Sequence, residues 1–320
     1  MLIFATLVRC LIGLWPAAFV APGATQAIRR AYVPNEEAGS ISVIDTRTDE
    51  IVETWNIGGR PHTVAVSNDG LFLWVGDRES HELRLFDTYD AKLVRSVTLR
   101  ETPEFVVLSS DGGCLAAAVT GGRTMLLVDT AARRVVDALV TESPAHEDAA
   151  FTPDGRMLFV PADGDGHVDV IDVGARRCMA RLDVGPRPRG ISFTPDGSRA
   201  YVVCKGDGAI YGVDVRELRV VSRTPVGGAP SSIAVQADGR AAWISSERRS
   251  AVTLVDLGDR RVLAEVPVGK RPWSLALTPD GSKLYVANAR SNSVTVIDVV
   301  SRRAIAEIAL GATPLDVAMA

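Results

Sequence analysis

Seven aspartates recur along this chain at a nearly constant interval. Each follows a short hydrophobic segment, as in TVID and LLVD, and successive aspartates are separated by 42, 42, 43, 42, 42 and 42 residues. The seven are Asp45, Asp87, Asp129, Asp172, Asp214, Asp256 and Asp298. Asp-Gly pairs recur with the same period, from Asp69-Gly70 to Asp280-Gly281. A fixed period near 42 residues, with several short strands in each unit, predicts a β-propeller.

One unit, residues 272–311, shows how the strands are arranged. PWSLALTPDG predicts a strand and a turn, SKLYVANARSNS a strand and a loop, VTVIDVVSRR a strand and a turn, and AIAEIALG a fourth strand. Asp-Gly favours a hairpin turn because glycine accepts a positive φ without steric cost. The alternating Val, Leu, Ile and Ala positions predict strands that are buried between neighbouring blades.

The two ends of the repeat region are complementary halves of one unit. After residue 27 the chain continues with IRRAYVPN, a second strand with no first strand before it, and it closes with TPLDVAMA, a first strand with no second strand after it. We therefore predict an all-β fold, a seven-bladed β-propeller with four antiparallel strands per blade, in a single domain over residues 28–320. N- and C-terminal strands that share one blade close the ring, which hides the edges that an open sheet exposes.

The first 27 residues carry a single charge, Arg9, and an apolar run that ends in small residues. This pattern predicts a signal peptide over residues 1–27, with cleavage near Ala27, and hence a periplasmic or secreted protein. An uncleaved anchor is the alternative, because Cys10 to Ala27 are 18 uncharged residues. Proline and glycine within that run make a spanning helix poor. We predict no transmembrane span in the mature chain and expect a monomer.

Composition limits the partners and the chemistry. The net charge is −4 and there is no basic run, so nucleic acid is not an expected partner, because phosphate binding needs clustered Lys and Arg. Cys114, Cys178 and Cys204 lack CxxC spacing, which predicts small buried apolar residues rather than a disulfide framework. The chain has no GxSxG or HExxH motif and no phosphate-binding glycine loop.

Two short segments carry a family resemblance. YVPN at residues 32–35 and YVAN at residues 285–288 match the signature of the YVTN-family β-propeller repeat, which the chain resembles over residues 30–320. RRAYVPNEEAGSISVID, PEFVVLSSDG and PWSLALTPDG are similar to the exported propellers associated with PQQ-dependent alcohol oxidation, a resemblance that implies location and fold more than activity. The same architecture resembles lactonases and the haem-binding propeller of periplasmic nitrite reductases, and fold alone does not choose among them.

The loops that enter the first strand of each unit predict the functional face. In a propeller they share one face, here called the top face, with the loops between the second and third strands, around the mouth of the central channel. The first position of these strands is proline in six units and His146 in the seventh, whereas the next two positions vary from unit to unit. Such variation is expected of a ligand-facing ring and equally of unconstrained exposed positions. From the first variable position we take four candidate ligand-binding residues, His62, Glu104, Arg189 and Trp273.

Trp273 stands among basic residues on this face. Arg189, Lys270 and Arg271 are expected near it, and an aromatic face beside cations suits a planar anionic ligand through stacking and ion pairing. The alternative is that Trp273 simply covers the channel wall.

The segment TESPAHED, residues 141–148, breaks the repeat by one extra residue and by its acidic character. It is predicted to lie on the top face beside a second loop of the same unit, DGDGH at residues 163–167. The candidate ligands for a divalent metal are His146, Glu147, Asp148, Asp163 and His167, because imidazole and carboxylate groups bind zinc and similar cations. The alternative is an Asp-Gly turn next to a solvated acidic loop.

The absence of a catalytic motif favours a non-catalytic, exported propeller that binds a protein partner or a small ligand on its top face. Rigid radial repeats give a stable platform with variable loops, which suits binding. One alternative is a metal-dependent, lactonase-like hydrolase in which a cation activates water. Another is a protein that binds or matures a redox cofactor, a haem or a quinone, with His62 or His146 aimed into the channel.

Overall fold

The computed structural model describes residues 29–120, 123–141 and 148–320, and every regular element in these ranges is a β-strand. The first fourteen strands are β1 (Arg30–Asn35), β2 (Ser40–Asp45), β3 (Glu50–Asn56), β4 (Pro61–Val66), β5 (Phe72–Asp77), β6 (Glu82–Asp87), β7 (Leu93–Thr98), β8 (Pro103–Leu108), β9 (Cys114–Val119), β10 (Thr124–Asp129), β11 (Arg134–Val140), β12 (Ala150–Phe151), β13 (Met157–Ala162) and β14 (His167–Asp172). The remaining strands are β15 (Arg177–Asp183), β16 (Pro188–Phe193), β17 (Arg199–Cys204), β18 (Ala209–Asp214), β19 (Arg219–Pro225), β20 (Pro230–Val235), β21 (Ala241–Ser246), β22 (Ala251–Asp256), β23 (Arg261–Pro267), β24 (Pro272–Leu277), β25 (Lys283–Asn288), β26 (Ser293–Asp298), β27 (Arg303–Ala309) and β28 (Ala318–Met319). The predicted signal peptide, residues 1–27, lies outside the described residues, and within them no helix is long and apolar enough to cross a membrane.

These strands form seven four-stranded sheets, the blades of a propeller. Blade 1 has the order β28-β1-β2-β3, and blades 2 to 7 take the other strands four at a time in chain order, from β4-β5-β6-β7 to β24-β25-β26-β27. Neighbouring strands within each blade pair antiparallel. The first strands of neighbouring blades contact one another around the channel, whereas outer strands such as β3 and β7 are largely exposed. The predicted seven-bladed fold, with one blade shared by the two chain ends, is confirmed.

The Asp-Gly pairs form the tight turns that the sequence predicts. All six glycines have φ between 67° and 71°, the left-handed region that a side chain disfavours. In the last of these turns Thr278 Oγ1 and the N–H of Ser282 both donate to Asp280 Oδ1, at 2.7 and 3.1 Å. Each turn therefore combines a glycine that permits the bend with an aspartate that satisfies its polar groups.

The hydrophobic core lies between the blades rather than in one central cluster. Seven groups of buried residues fill the seven interfaces between neighbouring blades. Between blades 7 and 1, for example, Tyr285 and Ala287 pack with Ala31 and Val33. Each fully buried aliphatic side chain contributes roughly 1.5–3 kcal/mol. Cys204 is fully buried, as predicted for a small apolar residue, whereas the other two described cysteines are half-buried.

Polar contacts reinforce the closing interface between blades 1 and 7. β28 pairs with β1 through only two residue pairs, Ala31–Met319 and Tyr32–Ala318. Beside this short ladder, the ammonium of Lys283 donates to both carboxylate oxygens of Asp49, at 2.9 and 2.7 Å, and the hydroxyl of Tyr285 donates to the same carboxylate. Asp49 thus connects the second strand of blade 7 to a turn of blade 1.

We expect Asp49→Asn to lower the free energy of unfolding by about 1–3 kcal/mol, because Lys283 and Tyr285 lose a charged, partly buried acceptor. Asn tolerates the left-handed backbone at this position, where φ is 60°, so strain adds little. Urea unfolding followed by circular dichroism measures the change. Asp259→Asn, which breaks the exposed ion pair with Arg261, is the control and should cost about 0.5 kcal/mol or less. Equal costs for the two variants would contradict the closing role of Asp49.

Candidate functional site

The top face carries a cavity of about 560 Å³, called here the channel-mouth cavity. Its wall includes every described member of the two variable positions that follow the proline slot. They are His62, Glu104, Arg189, Ser231, Trp273 and Leu315 at the first position, and Thr63, Phe105, Asp148, Gly190, Ser232, Ser274 and Asp316 at the second. The four candidate ligand-binding residues therefore line one cavity, and their role in binding stays a prediction.

A β-bulge in the inner strands positions several of these side chains. In blades 2, 3, 5, 6 and 7 the register between the first and second strands shifts at the proline slot. His62 lies within one shift, between Pro61 and Thr63, and Trp273 lies within another. A bulge interrupts the ladder and re-aims a side chain. The regular repeat thus provides an irregular rim around the cavity.

One side of the cavity carries cations around an aromatic ring. Arg189, Arg271 and Trp273 line the cavity there. Together with the adjacent Arg187 and Lys205 they are called here the basic wall, from blades 5 and 7. The distances to the centroid of the Trp273 ring are 4.6 Å from the Arg271 guanidinium carbon, 5.5 Å from that of Arg189 and 5.9 Å from the Lys205 ammonium. Such cation–π contacts stabilise by about 0.5–1 kcal/mol each at partly exposed sites. Trp273 therefore gathers positive charge at the cavity wall.

Carboxylates balance only part of this charge. The carboxylate of Asp163 contacts Arg187 Nε at 3.0 Å and Arg189 Nη2 at 3.2 Å, and Glu247 contacts the Lys205 ammonium at 2.6 Å. Among the described residues, two carboxylates thus pair with three of these four cationic side chains. Among the described residues no carboxylate lies within ion-pair distance of the fourth cation, which belongs to Arg271.

The electrostatic environment of Arg189 reflects this surplus. Burial lowers the pKa of its guanidinium, Glu247 opposes that effect, and the neighbouring charge of Arg271 adds to it. Arginine stays protonated in proteins, so the lowered pKa means that a charged group is held where water solvates it poorly and a second cation is near. A negative charge placed beside Arg189 and Arg271 would be stabilised.

Across the ring, blades 1 to 3 supply a histidine enclosed by ionic groups. This His62 wall consists of Glu36, Arg60, His62, Arg78 and Glu104. His62 Nδ1 lies 3.1 Å from Glu36 Oε2, and its Nε2 lies 3.8 Å from Glu104 Oε2. Arg60 contacts the other Glu36 oxygen at 2.7 Å, and Arg78 bridges the carboxylates of Glu36 and Glu104. The His62 side chain is only 10% exposed, so these contacts determine its orientation.

The Glu36 carboxyl stays ionised in this network. Burial alone would raise its pKa, but the hydrogen bond and charge of His62, together with the charges of Arg78 and Arg60, outweigh burial and hold the pKa below its usual value. Because an ionised carboxylate only accepts hydrogen bonds, His62 Nδ1 must carry a proton, and Nε2 is the nitrogen left for the cavity.

Asp148 and Asp316 occupy equivalent positions in two blades and tie inner strands together. Asp148 Oδ2 accepts a hydrogen bond from the N–H of Ile191 in the next blade, at 3.0 Å, and Asp316 Oδ2 accepts one from the N–H of Val64, also at 3.0 Å. Asp316 accepts two further hydrogen bonds from hydroxyl groups that line the cavity. These carboxyls are built into the contacts between blades.

Burial strongly affects the pKa of the Asp148 carboxyl. Burial raises the pKa of Asp148 to about 8; the N–H groups of Ile191 and Ala149 act against this rise and the charge of Asp316 adds to it. Asp148 therefore favours its protonated form near neutral pH, which makes it a poor partner for a cation.

Three of the five metal candidates fall on described residues, and these three do not form one ligand cluster. Asp148 is bonded to backbone N–H groups, Asp163 is paired with arginines, and His167 Nδ1 lies 2.7 Å from Asp183 Oδ1. In the part of the chain that the structure describes, no group of three or more His, Cys, Asp or Glu side chains could hold a metal ion. His146 and Glu147 lie outside the described residues, so a site that includes them stays a prediction.

Sequence reasoning overlooked Glu36, Arg78 and Lys205. Glu36 directly follows the YVPN segment, in the loop between a second and a third strand. The one sequence signal for it was the pair of carboxylates in this loop, NEEAGS. Arg78 and Lys205 stand at the same structural position, immediately after the second strands β5 and β17. A search for charged residues just after second strands would have found all three.

The chain matches two families of propellers. Residues 135–305 match the family model described as Lactonase, 7-bladed beta-propeller; the match spans more than half of the chain, and the chain belongs to that family. Residues 13–112 match the YNCE-like beta-propeller. No curated protein matches the chain. The narrower resemblance to YVTN-repeat proteins and to propellers of PQQ-dependent alcohol oxidation stays a prediction.

Solved structures share the architecture. Hydrazine synthase of Kuenenia stuttgartiensis superposes with a TM-score of 0.77 at 24% identity, over 84% of this chain and 92% of that one. A functionally unknown protein from Desulfotomaculum acetoxidans DSM 771 superposes with a TM-score of 0.78 at 17% identity, over 91% of this chain and 98% of that one. At these identities the likeness shows the fold alone.

The raised pKa of Asp148 predicts a pH-dependent stability. An acid whose pKa is higher in the folded state binds more protons folded than unfolded, so the free energy of unfolding should fall as pH rises from about 4 to about 8. The loss is at most about 1.4 kcal/mol per pH unit for one group. Asp148→Asn, which cannot ionise, should flatten this fall. Thermal unfolding of both proteins at several pH values between about 5 and about 8 measures it.

The turn carboxylates act outside that window. Hydrogen bonds from Ser282 and Thr278 lower the pKa of Asp280 to about 2, so its contribution to the free energy of unfolding is lost only as pH falls below about 4.

If the free energy of unfolding falls equally with pH in the wild-type protein and in Asp148→Asn, the assignment of the fall to Asp148 is wrong.

Proposed function

We propose that the channel-mouth cavity binds a small organic anion with a planar, carboxylate-bearing portion, and that the protein acts as a binding propeller. The observation that carries the proposal is the Arg271–Trp273 contact. The guanidinium carbon lies 4.6 Å from the ring centroid, both residues line the cavity, and no carboxylate among the described residues is within ion-pair distance of Arg271. A ligand carboxylate would supply the missing partner.

The chemistry of this wall suits such a ligand in two ways. A guanidinium binds a carboxylate through two parallel hydrogen bonds, and hydrogen bonds to charged groups contribute about 1.5–3 kcal/mol each. An indole face adds stacking with a flat ring. Arg189, which burial and Arg271 hold in a poorly solvated state, gains from the same negative charge.

The size of the cavity favours a small ligand over a docked protein. A volume of about 560 Å³ lies within the usual range of small-molecule sites, about 300–1,000 Å³. The resemblance to propellers of PQQ-dependent alcohol oxidation supports a carboxylated quinone as one candidate ligand of this class. The predicted export of the protein is compatible with that ligand.

Binding of benzoate tests the proposal. We expect Arg271→Gln and Trp273→Ala each to weaken benzoate binding by about tenfold or more, because they remove the carboxylate partner and the stacking face. Isothermal titration calorimetry measures the affinity. Arg290→Gln is the matched control, because Arg290 is exposed and does not line the cavity. Benzamide, which lacks the charge, should bind more weakly than benzoate. Equal affinity of wild-type protein and Arg271→Gln for benzoate would refute the proposal.

Trp273 also gives an optical signal for ligand entry. Trp55, Trp74 and Trp243 are at most 5% exposed, whereas Trp273 is partly exposed, so a water-soluble quencher reaches Trp273 first among the described tryptophans. A bound ligand should protect this fluorescence from iodide.

A second candidate function is hydrolysis of a small ester or lactone, which the His62–Glu36 pair and the family match support. His62 Nε2 would take a proton from water as the oxygen attacks the carbonyl carbon. The ester C–O bond then breaks, and the departing alkoxide takes the proton from His62. Glu36 holds the ring in the orientation and tautomer that this step needs.

Hydrolysis of dihydrocoumarin, an aromatic lactone, tests this second function. We expect His62→Gln to lower kcat by about 100-fold or more, because a positioned general base contributes about that factor. His81→Asn is the control: His81 is exposed, does not line the cavity and has φ of 57°, which Asn tolerates. An absence of hydrolysis by the wild-type protein, or equal kcat for wild-type protein and His62→Gln, would reject the hydrolase.

A further inference from the structure

The orientation of His62 makes its cavity-facing nitrogen a switchable group. Glu36 holds the proton on Nδ1, so a neutral His62 presents the Nε2 lone pair to the cavity. Glu104 Oε2, also an acceptor, lies 3.8 Å from Nε2, which is too far for a hydrogen bond. Two acceptors thus face the same space when His62 is neutral. A second proton would turn Nε2 into a donor aimed at that space.

Because of the charges around His62, this second proton determines whether an anion is attracted to the His62 wall. Glu36 and Glu37 come from the end of β1 and the loop after it, Glu104 from β8, and Arg60 and Arg78 from the ends of β4 and β5. In the His62 wall the carboxylates of Glu36 and Glu104 balance the guanidinium groups of Arg60 and Arg78, so a neutral His62 leaves the wall without net charge. A protonated His62 gives the wall a net positive charge. An anionic group gains no attraction in the first state and is attracted in the second.

Other titratable groups of the cavity do not replace His62 in this role. Asp316 faces the same wall through Thr63, but two backbone N–H groups and two hydroxyls already saturate its oxygens. Asp148, in blade 4, lines the same cavity, and burial raises its pKa to about 8, within the range of the test. The calorimetric titrations therefore use Asp148→Asn protein, which removes this second proton acceptor. Histidine is the side chain whose charge ordinarily changes between about pH 5 and about 8.

The His62 wall and the basic wall line different parts of one cavity. Arg271 and Trp273 come from blade 7 and His62 from blade 2, two blades away in the ring of seven. A planar ligand with one carboxylate at Arg271 can therefore present a second carboxylate to His62 within the same cavity.

We infer that the channel-mouth cavity has a second anion subsite at His62, which takes the distal carboxylate of a planar dicarboxylate together with one proton. This inference rests on the proposed anion site at Arg271 and Trp273. Binding of a dicarboxylate and protonation of His62 are then linked, and each must favour the other by the same factor. A monocarboxylate that occupies only the basic wall carries no such linkage.

Two matched probes separate the subsites. Benzoate carries one carboxylate, and terephthalate carries a second one on the opposite side of the same ring; both are fully ionised above about pH 6, well beyond ordinary carboxyl pKa values. Calorimetric titrations at about pH 6 and about pH 8, each in two buffers of different ionisation enthalpy, give affinity and proton uptake. We expect the terephthalate affinity to fall about tenfold or more over this range, with proton uptake on binding, and the benzoate affinity to change less than about twofold.

Variants assign the proton. His62→Gln should abolish proton uptake and flatten the pH dependence for terephthalate, whereas His81→Asn should keep both. Equal pH dependence for the two probes, or proton uptake that persists in His62→Gln, overturns the second subsite. If benzoate binds through Arg271 but terephthalate shows no linkage, only this inference fails. If neither probe binds, the proposed function and this inference fail together.

Discussion

The packing of each blade against its two neighbours is the interaction on which the rest of the structure depends. A four-stranded sheet with two apolar faces leaves much of that surface in water unless other sheets cover it, and the seven buried clusters lie at the seven interfaces. Because every blade takes part in two clusters, the two blades at the ends of an open arc stay incomplete until the ring is closed. The same packing holds the inner strands at fixed separations around the channel, so side chains from blades far apart in sequence form one cavity wall.

The channel mouth uses this rigidity to combine groups that would not otherwise stay together. A bulge at the proline slot releases one or two residues from the inner strand, and these residues differ from blade to blade while the strands beneath them repeat. Positive charge gathers around Trp273 on one side, and a buried histidine sits between carboxylates on the other. The cavity therefore carries charged groups at separate parts of its wall, which suits an elongated ligand with charge at its ends better than a compact one with a single charge.

Periodicity explains why the fold could be predicted and why the site could be predicted only in part. The Asp spacing and the Asp-Gly turns report on strands and hairpins, which are local, and the complementary chain ends indicated closure. The positions of His62 and Trp273 followed from the same alignment. Their partners did not: Glu36 reaches His62 from another blade, and Asp163, expected to bind a metal, pairs with Arg187 and Arg189. A carboxylate pairs with one charged neighbour rather than another because of the distances between side chains of different blades. A repeat alignment contains no such distances.

The closing sheet has a consequence for the order of folding. β1 and β28 stand near opposite ends of the described chain, yet blade 1 needs both. Blades 2 to 7 each form from consecutive residues and can nucleate locally, whereas blade 1 must bring together the most distant contacts in the protein, which is the slowest kind of contact to make. Until then, β1 has an unpaired edge, and blades 1 and 7 leave the apolar surface between them uncovered. A nascent or partly unfolded chain is therefore an open arc with an apolar surface at each end, and at high protein concentration two such arcs can join each other before each closes on itself.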